Sequence, residues 1–331
     1  MLALPGAERS PARAAALQAA GRLAARQGDY PAQERYDTAS LVLAREQDDR
    51  HTIAWTLIHL AGAISKQGRA DEARTYLQEA LALARAGGDA TGVATVQMRL
   101  GAQLRDQGEF EAASRLFEEC LATKRALNSR PAIADTLSHM GWVALYQGDL
   151  AAARSLVEES LAIWRDLGDT GDIGLSLTIL GLVAGAAGDR QEARALHTQG
   201  LAIQRRVGNV WGTALALEGL AAVVATEHPP RALRLAGAAD ALRRAINRPL
   251  PPAARPLWDD ALAPAHQALG AATAASAWAE GQALSLEQAL AEVEEAADLP
   301  LPDTAEAPPR VEQRFANLHE TATPLHSSGE G

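Results

Sequence analysis

The chain has 331 residues, 47% of them hydrophobic, with 31 Lys and Arg against 41 Asp and Glu and a formal net charge of −10 at pH 7. That length suits about two domains with a buried core, and the acidic balance argues against sequence-independent binding to nucleic-acid phosphates or anionic lipid. A single cysteine, Cys120, excludes an internal disulfide; the start MLALPGAERS lacks a secretory signal, and no window reaches the roughly 18 apolar residues of a membrane span, so a cytoplasmic protein is expected.

Residues 1–7 read as a leader, and from residue 8 the chain repeats. QGDYPAQ, QGRADEA, QGEFEAA, QGDLAAA and AGDRQEA place Gly28, Gly68, Gly108, Gly148 and Gly188 at a 40-residue period. Seven residues before them stand the small residues Gly21, Ala61, Gly101, Gly141 and Gly181, and Leu41, Leu81, Leu121, Leu161 and Leu201 keep the same spacing. A third ladder is Ala73, Ala113, Ala153 and Ala193. Between these marks apolar residues recur every three or four positions, the period of a helix, and no stretch alternates like a strand. Each unit of the segment 8–210 therefore reads as a helix, a turn at the glycine and a second helix. Loops follow at Asp48-Asp49, Gly88-Asp89, Asn128-Ser129, Gly168-Asp169 and Gly208-Asn209. Glycine adopts the left-handed conformation that closes a helix, and the following Asp or Asn caps the next one. The first unit departs most, with Gln33 and Asp37 where later units are read as carrying Ala and a large apolar residue, and it suits an end position.

This combination of small residue, Gln-Gly, alanine and leucine resembles the tetratricopeptide repeat, in a variant longer than the usual 34 or so residues. HEAT-like repeats share the length without the Gly/Ala signature and remain the alternative. The resemblance implies an all-α fold, a right-handed α-solenoid of helix pairs with a C-terminal helical cap.

A sixth unit starts on schedule with WGTALALEGLAAVVA, but Glu227-His228-Pro229-Pro230 replaces the Gln-Gly turn. Residues 211–297 thus read as a divergent helix pair followed by a capping module that would cover the last repeat, interrupted by a proline-rich break at Pro249 to Pro252. Residues 298–331, rich in Pro, acidic and small polar residues, read as a disordered tail. LAGAADALR, RPLPP, the later ALG and AWAEGQALSLEQAL resemble the closing segment of bacterial STAND-type regulatory ATPases, including LuxR-type and SARP-type transcriptional regulators. Ala274-Ala275 departs from that pattern where an aromatic residue is usual, which implies looser packing there. The resemblance implies a sensor or protein-interaction arm. Neither a GxxxxGK[ST] loop nor a helix-turn-helix accompanies it, so either a stand-alone adaptor or a piece of a longer regulator is expected.

No side-chain pattern announces catalysis, and the chain is not expected to be an enzyme or to carry a cofactor. The histidines lack ligand spacing and Cys120 lacks a CxxC partner, so no metal site is expected. His59 and His139, at equivalent repeat positions, read as exposed or partly buried polar side chains, and Cys120 as a packed thiol. Projected onto tetratricopeptide arrays, the first helix of each unit would line a concave groove through Arg22, Arg26, Trp55, Ile58, Lys66, Met98, Arg105, Asp106, Asp135, Trp142, Tyr146 and Leu182. Such a surface would offer cations and aromatic anchors to an acidic or apolar peptide. Helix-end cations and packed tryptophans explain part of the same set without a ligand. The expected function is a protein- or peptide-binding scaffold or sensor arm in bacterial transcriptional regulation, with no direct nucleic-acid or membrane binding; the alternative is a small-molecule inducer-binding module.

Overall fold

The computed structural model describes residues 11–26 and 29–297, and everything described in it is helix, turn or loop. The expected leader 1–7, the tail 298–331 and the Gln27-Gly28 turn lie outside the described residues, as do the side chains of Arg26 and Glu294 to Ala297. Two compact units are formed: the first comprises residues to His139 together with Asn247–Ala253, the second Met140–Ile246 and the residues from Ala254.

The first unit holds α1 (Pro11–Arg26), α2 (Tyr30–Glu46), α3 (Arg50–Lys66), α4 (Ala70–Ala86), α5 (Ala90–Gln107), α6 (Phe110–Ala126) and the start of α7 (Arg130–Tyr146). The second holds the rest of α7, then α8 (Leu150–Leu167), α9 (Thr170–Ala186), α10 (Arg190–Arg206), α11 (Val210–Val224), α12 (Pro229–Ala245), α13 (Arg255–Ala283) and α14 (Leu286–Ala297). Helices adjacent in sequence pack on one another, as in α1 on α2, α3 on α4 and α9 on α10.

The helix ends follow the punctuation of the sequence. Gly108 closes α5 with φ +86°, a left-handed conformation open to glycine at little cost. At the loops between pairs Asp48 and Asn128 take the same region with φ 49° and 51°. The next side chain then accepts from the third backbone N–H: Asp49 from Thr52, Asp89 from Gly92, Asp169 from Asp172 and Asn209 from Gly212. Asp29, Asp149 and Asp189 do the same inside the pairs, whereas Arg69 and Glu109 leave α4 and α6 without a side-chain cap.

The small residues face a ladder that the repeat period also sets: Asp37, Leu77, Phe117, Val157 and His197. A β-carbon added at Gly101 would lie 2.6 Å from Phe117 Cε1, one at Gly141 2.5 Å from Val157 Cγ2, and one at Gly181 2.8 Å from His197 Cε1. Phe117 is wholly buried, which contributes roughly 1.5–3 kcal/mol. In the divergent first pair Asp37 takes this place. It is 1% exposed, accepts from Gln33 Nε2 at 3.2 Å, and burial pushes its carboxyl up to about 6.

In the second unit α12, α13 and α14 close over the last repeat: Ala184 and Leu201 share one core with Leu217, Leu233, Leu262, Ala277 and Leu290. The two glycines of LAGAADALR and AWAEGQAL, Gly237 and Gly281, bring the backbones of α12 and α13 together. A β-carbon at either would meet the opposing carbonyl of Trp278 or Arg234 at 2.2 or 2.0 Å. Arg231 and Arg234 then hold Glu292 of α14 at 2.8–3.0 Å. α13 breaks at Gly270 (φ 71°, ψ 164°), the end of the ALG motif. Ala274 is 2% exposed within this core, so the position expected to be loosely packed is filled by its neighbours.

Candidate functional site

Positions 59, 99 and 139 recur at one place in successive first helices and carry His59, Arg99 and His139 on α3, α5 and α7, all in the first unit. Arg22 acts electrostatically on His59, Arg105 on His139 and Arg99 on Lys66. Arg99 lies against Gly62, with Nη1 3.2 Å from where a β-carbon would stand, so the glycine makes room for the guanidinium. It is open to solvent yet walled by protein, and that desolvation holds its pKa below the usual value. Among the described residues Arg99 makes no ion pair. The His59 imidazole is pushed down by burial, then by Arg99 and Arg22, and its Nδ1 is buried without a hydrogen-bond partner.

Beside this row Arg105, 8% exposed, donates from Nη1 to His139 Nδ1 at 2.6 Å and from Nε and Nη2 to Asp106 Oδ1 at 2.9 and 2.6 Å. A guanidinium only donates, so His139 accepts at Nδ1 and is neutral there. Burial, then Arg105 and Arg248, pushes this imidazole down to about 3, and the ring stacks on Phe117 with centroids 5.5 Å apart. Asp135 Oδ1 lies 3.7 Å from His139 Nε2, its carboxyl pushed up by the surrounding protein while its side chain stays accessible.

The other end of the row is aromatic. Trp55, half-buried, donates from Nε1 to Asp89 Oδ2 at 3.0 Å, tying it to the residue that caps α5. Gln18, Arg22, His51, Thr52, Trp55 and His59 line a cavity of about 270 Å³.

The structure thus brings Arg22, Trp55, Lys66, Arg105, Asp106 and Asp135 onto the first unit, with Met98 half-buried next to Arg99. Arg26 ends α1, its side chain outside the described residues. Two of the expected groove residues are corrected: Ile58 is 1% and Leu182 6% exposed, both in the core, because the neighbouring helices cover those positions. Trp142 is likewise buried at 7% and leans on Tyr146 with centroids 5.4 Å apart in the second unit. Sequence reasoning named His59 and His139 but missed Arg99 between them, although the 40-residue register pointed to it. It also passed over Arg248, the residue before the proline-rich break.

Cys120 is buried, donates to the Ala94 carbonyl at 3.3 Å, and burial pushes its thiol up, away from the nucleophilic thiolate. Among the described residues no group of three or more His, Cys, Asp or Glu could hold a metal ion, and no helix is long and apolar enough to cross a membrane.

The stacked helix pairs define an all-α repeat protein. Comparison with protein families assigns the repeats: the tetratricopeptide repeat matches residues 52–126 and 92–166. Among solved structures the chain is similar to BtubC (BKLC) from P. vanneervenii, at 25% identity and TM-score 0.53, covering 61% of this chain and 85% of that one. It is also similar to a Rap protein complexed with Competence and Sporulation Factor, at 13% identity and TM-score 0.58, covering 90% of this chain and 74% of that one. No curated protein matches. The Rap likeness supports the repeat fold across nearly the whole chain.

Proposed function

We propose that the chain is the protein- or peptide-binding arm of a bacterial transcriptional regulator, and that the cation-rich face of its first unit receives an acidic segment. The observation that carries this reading is the set of four cations Arg22, Lys66, Arg99 and Arg105 beside the uncharged imidazoles His59 and His139, against the two carboxylates Asp106 and Asp135, in a chain of net charge −10. Opposite charge on a partner speeds encounter and sets its register. The regulatory part rests on the resemblance of LAGAADALR, RPLPP and AWAEGQALSLEQAL to the closing segment of STAND-type regulatory ATPases. The structural relative solved with Competence and Sporulation Factor is consistent with a ligand-binding array. A small-molecule inducer is the second reading, favoured by the cavity beside Trp55; its volume of about 270 Å³ falls just below the ~300 Å³ at which such sites usually begin.

The test is fluorescence anisotropy with two labelled peptides, one alternating Glu and Leu and one alternating Lys and Leu. The acidic peptide should bind at least tenfold tighter, and Arg99→Glu should remove the difference. Equal binding of both peptides, or an unaltered preference in Arg99→Glu, refutes the reading.

A further inference from the structure

α1 is held differently from the helices that follow it. Among the described residues of α1 the buried apolar side chains are Ala14, Leu17 and Ala24, so that Leu17 is the one large anchor, whereas α3 buries Ile53, Leu57, Ile58, Leu60 and Ile64. The apolar cluster under α1 comprises Ala14, Leu17 and Leu43, with Tyr36 packed against it. The rest of the seam is polar: Gln18 Nε2 donates to Thr56 Oγ1 at 2.7 Å, and Ser40 Oγ to the Ala14 carbonyl at 3.2 Å. A helix with so few buried apolar groups belongs to the low-stability end of a fold, where an element opens while the remainder stays folded.

Asp37 stands inside this seam. Its Oδ1 lies 2.5 Å from where a β-carbon on Gly21 would stand, so the backbone of α1 covers the carboxyl directly. That oxygen is buried without a hydrogen-bond partner, while Oδ2 accepts from Gln33 Nε2, an amide that also donates to the His59 carbonyl at 3.1 Å. On α1, Arg22 favours the carboxylate; on α3, the His59 imidazole is held neutral by burial, then by Arg99 and Arg22. Burial outweighs Gln33 and Arg22 at Asp37, so the closed form keeps its proton up to a pH of about 6, whereas a solvated carboxyl releases it near 3.8. Ionised beneath α1, the group is an incompletely paired charge; with α1 away, water solvates it.

α1 is also one wall of the cavity beside Trp55. Gln18 and Arg22 bound it on one side, and His51, Thr52, Trp55 and His59 of α3 on the other. We propose that α1 is a movable wall of this cavity, docked while the Asp37 carboxyl is protonated and released when it ionises, so that uptake of a proton assembles the site. As a gate, α1 regulates the binding site proposed above and rests on that reading; its movement rests on the packing of α1. The hold on α1 is complete below pH 3.8 and is lost as pH rises through 6, a change of about a hundredfold in the ratio of docked to released forms.

Amide hydrogen exchange of the full chain, expressed as protection relative to unstructured peptide at each pH, reads the movement. Protection of residues 17–24 should fall at least fivefold between pH 5 and pH 8, while that of residues 57–64 in α3 holds. Asp37→Asn, the neutral isostere, should keep α1 protected at pH 8. Asp37→Leu, which restores the side chain that Leu77 supplies in the next pair, should do the same. Constant α1 protection, a fall shared equally by α3, or the same fall in both variants overturns the proposal. The acidic-peptide preference and its dependence on Arg99 are read in a separate assay. Its loss beside a pH-dependent α1 removes the function and leaves the movement, and the converse removes the gate and leaves the function.

Discussion

Glu218 and Arg243 meet as a two-point ion pair inside the second unit, Nε to Oε1 at 2.5 Å and Nη2 to Oε2 at 2.6 Å, with both residues less than a tenth exposed. The pair joins α11 to α12 where the regular repeats give way to the cap. Removing one partner strands a charge: Arg243→Met should cost about 3–5 kcal/mol. The double variant Glu218→Met, Arg243→Met should recover most of that, since an apolar pair has no charge to desolvate. Urea denaturation of the three chains checks this, and equal losses in single and double variants would contradict it.

The notch glycines should be intolerant for a reason distinct from the turn glycines. Gly101→Ala drives a methyl into the Phe117 ring and should cost about 1–3 kcal/mol, with Phe117→Leu in the same chain relieving part of it. Gly68→Ala meets nothing within 4 Å, yet its φ of +83° should still cost about 1–2 kcal/mol, which no second substitution at a neighbour relieves. Thermal melts of the three variants separate crowding from backbone strain.

His197 should make the protein acid-sensitive. Its imidazole is 1% exposed and pushed down to about 3 by burial, whereas the unfolded chain protonates near 6.5. Between these values the unfolded state holds a proton that the native state lacks, so stability falls as pH falls. The contribution lost between pH 7 and pH 5 is about 2 kcal/mol. His197→Leu should flatten the profile by that amount, and parallel profiles for the two chains would count against it.

Asp37 should act in the opposite direction. Its carboxyl is raised to about 6 in the fold, so the native state holds a proton that the unfolded chain releases near 3.8. The stabilising protonated form is present below 3.8 and is lost as pH rises through 6. Asp37→Asn should therefore stabilise the protein at pH 8 by up to about 3 kcal/mol and by nothing near pH 3.8. A gain that does not vary with pH would assign it to packing.

Much of this architecture was legible because the 40-residue period fixes several chemistries at once. Gly88-Asp89 was readable as closure and cap together, and the structure gives φ +67° at Gly88 and the Asp89 carboxylate on Gly92 N. The ladder facing the small residues was harder to read, since Asp37, Phe117, Val157 and His197 share a role without sharing a chemical type. Ile58 and Leu182 were misplaced because register gives the helix face but not how far the neighbouring helix covers it. The break at Pro249 to Pro252 was legible but the docking of Asn247–Ala253 was not: proline marks where a helix stops, and carries no record of the surface on which the segment then lies.

The Asn247 to Lys66 hydrogen bond spans 181 residues of sequence, whereas side-chain bonds such as Gln67 to Glu34, Arg74 to Glu109 and Arg154 to Glu192 span 33 to 38. The repeats can therefore assemble by short-range steps, while Asn247–Ala253 has to close a very long loop, so its docking on the first unit belongs late in folding.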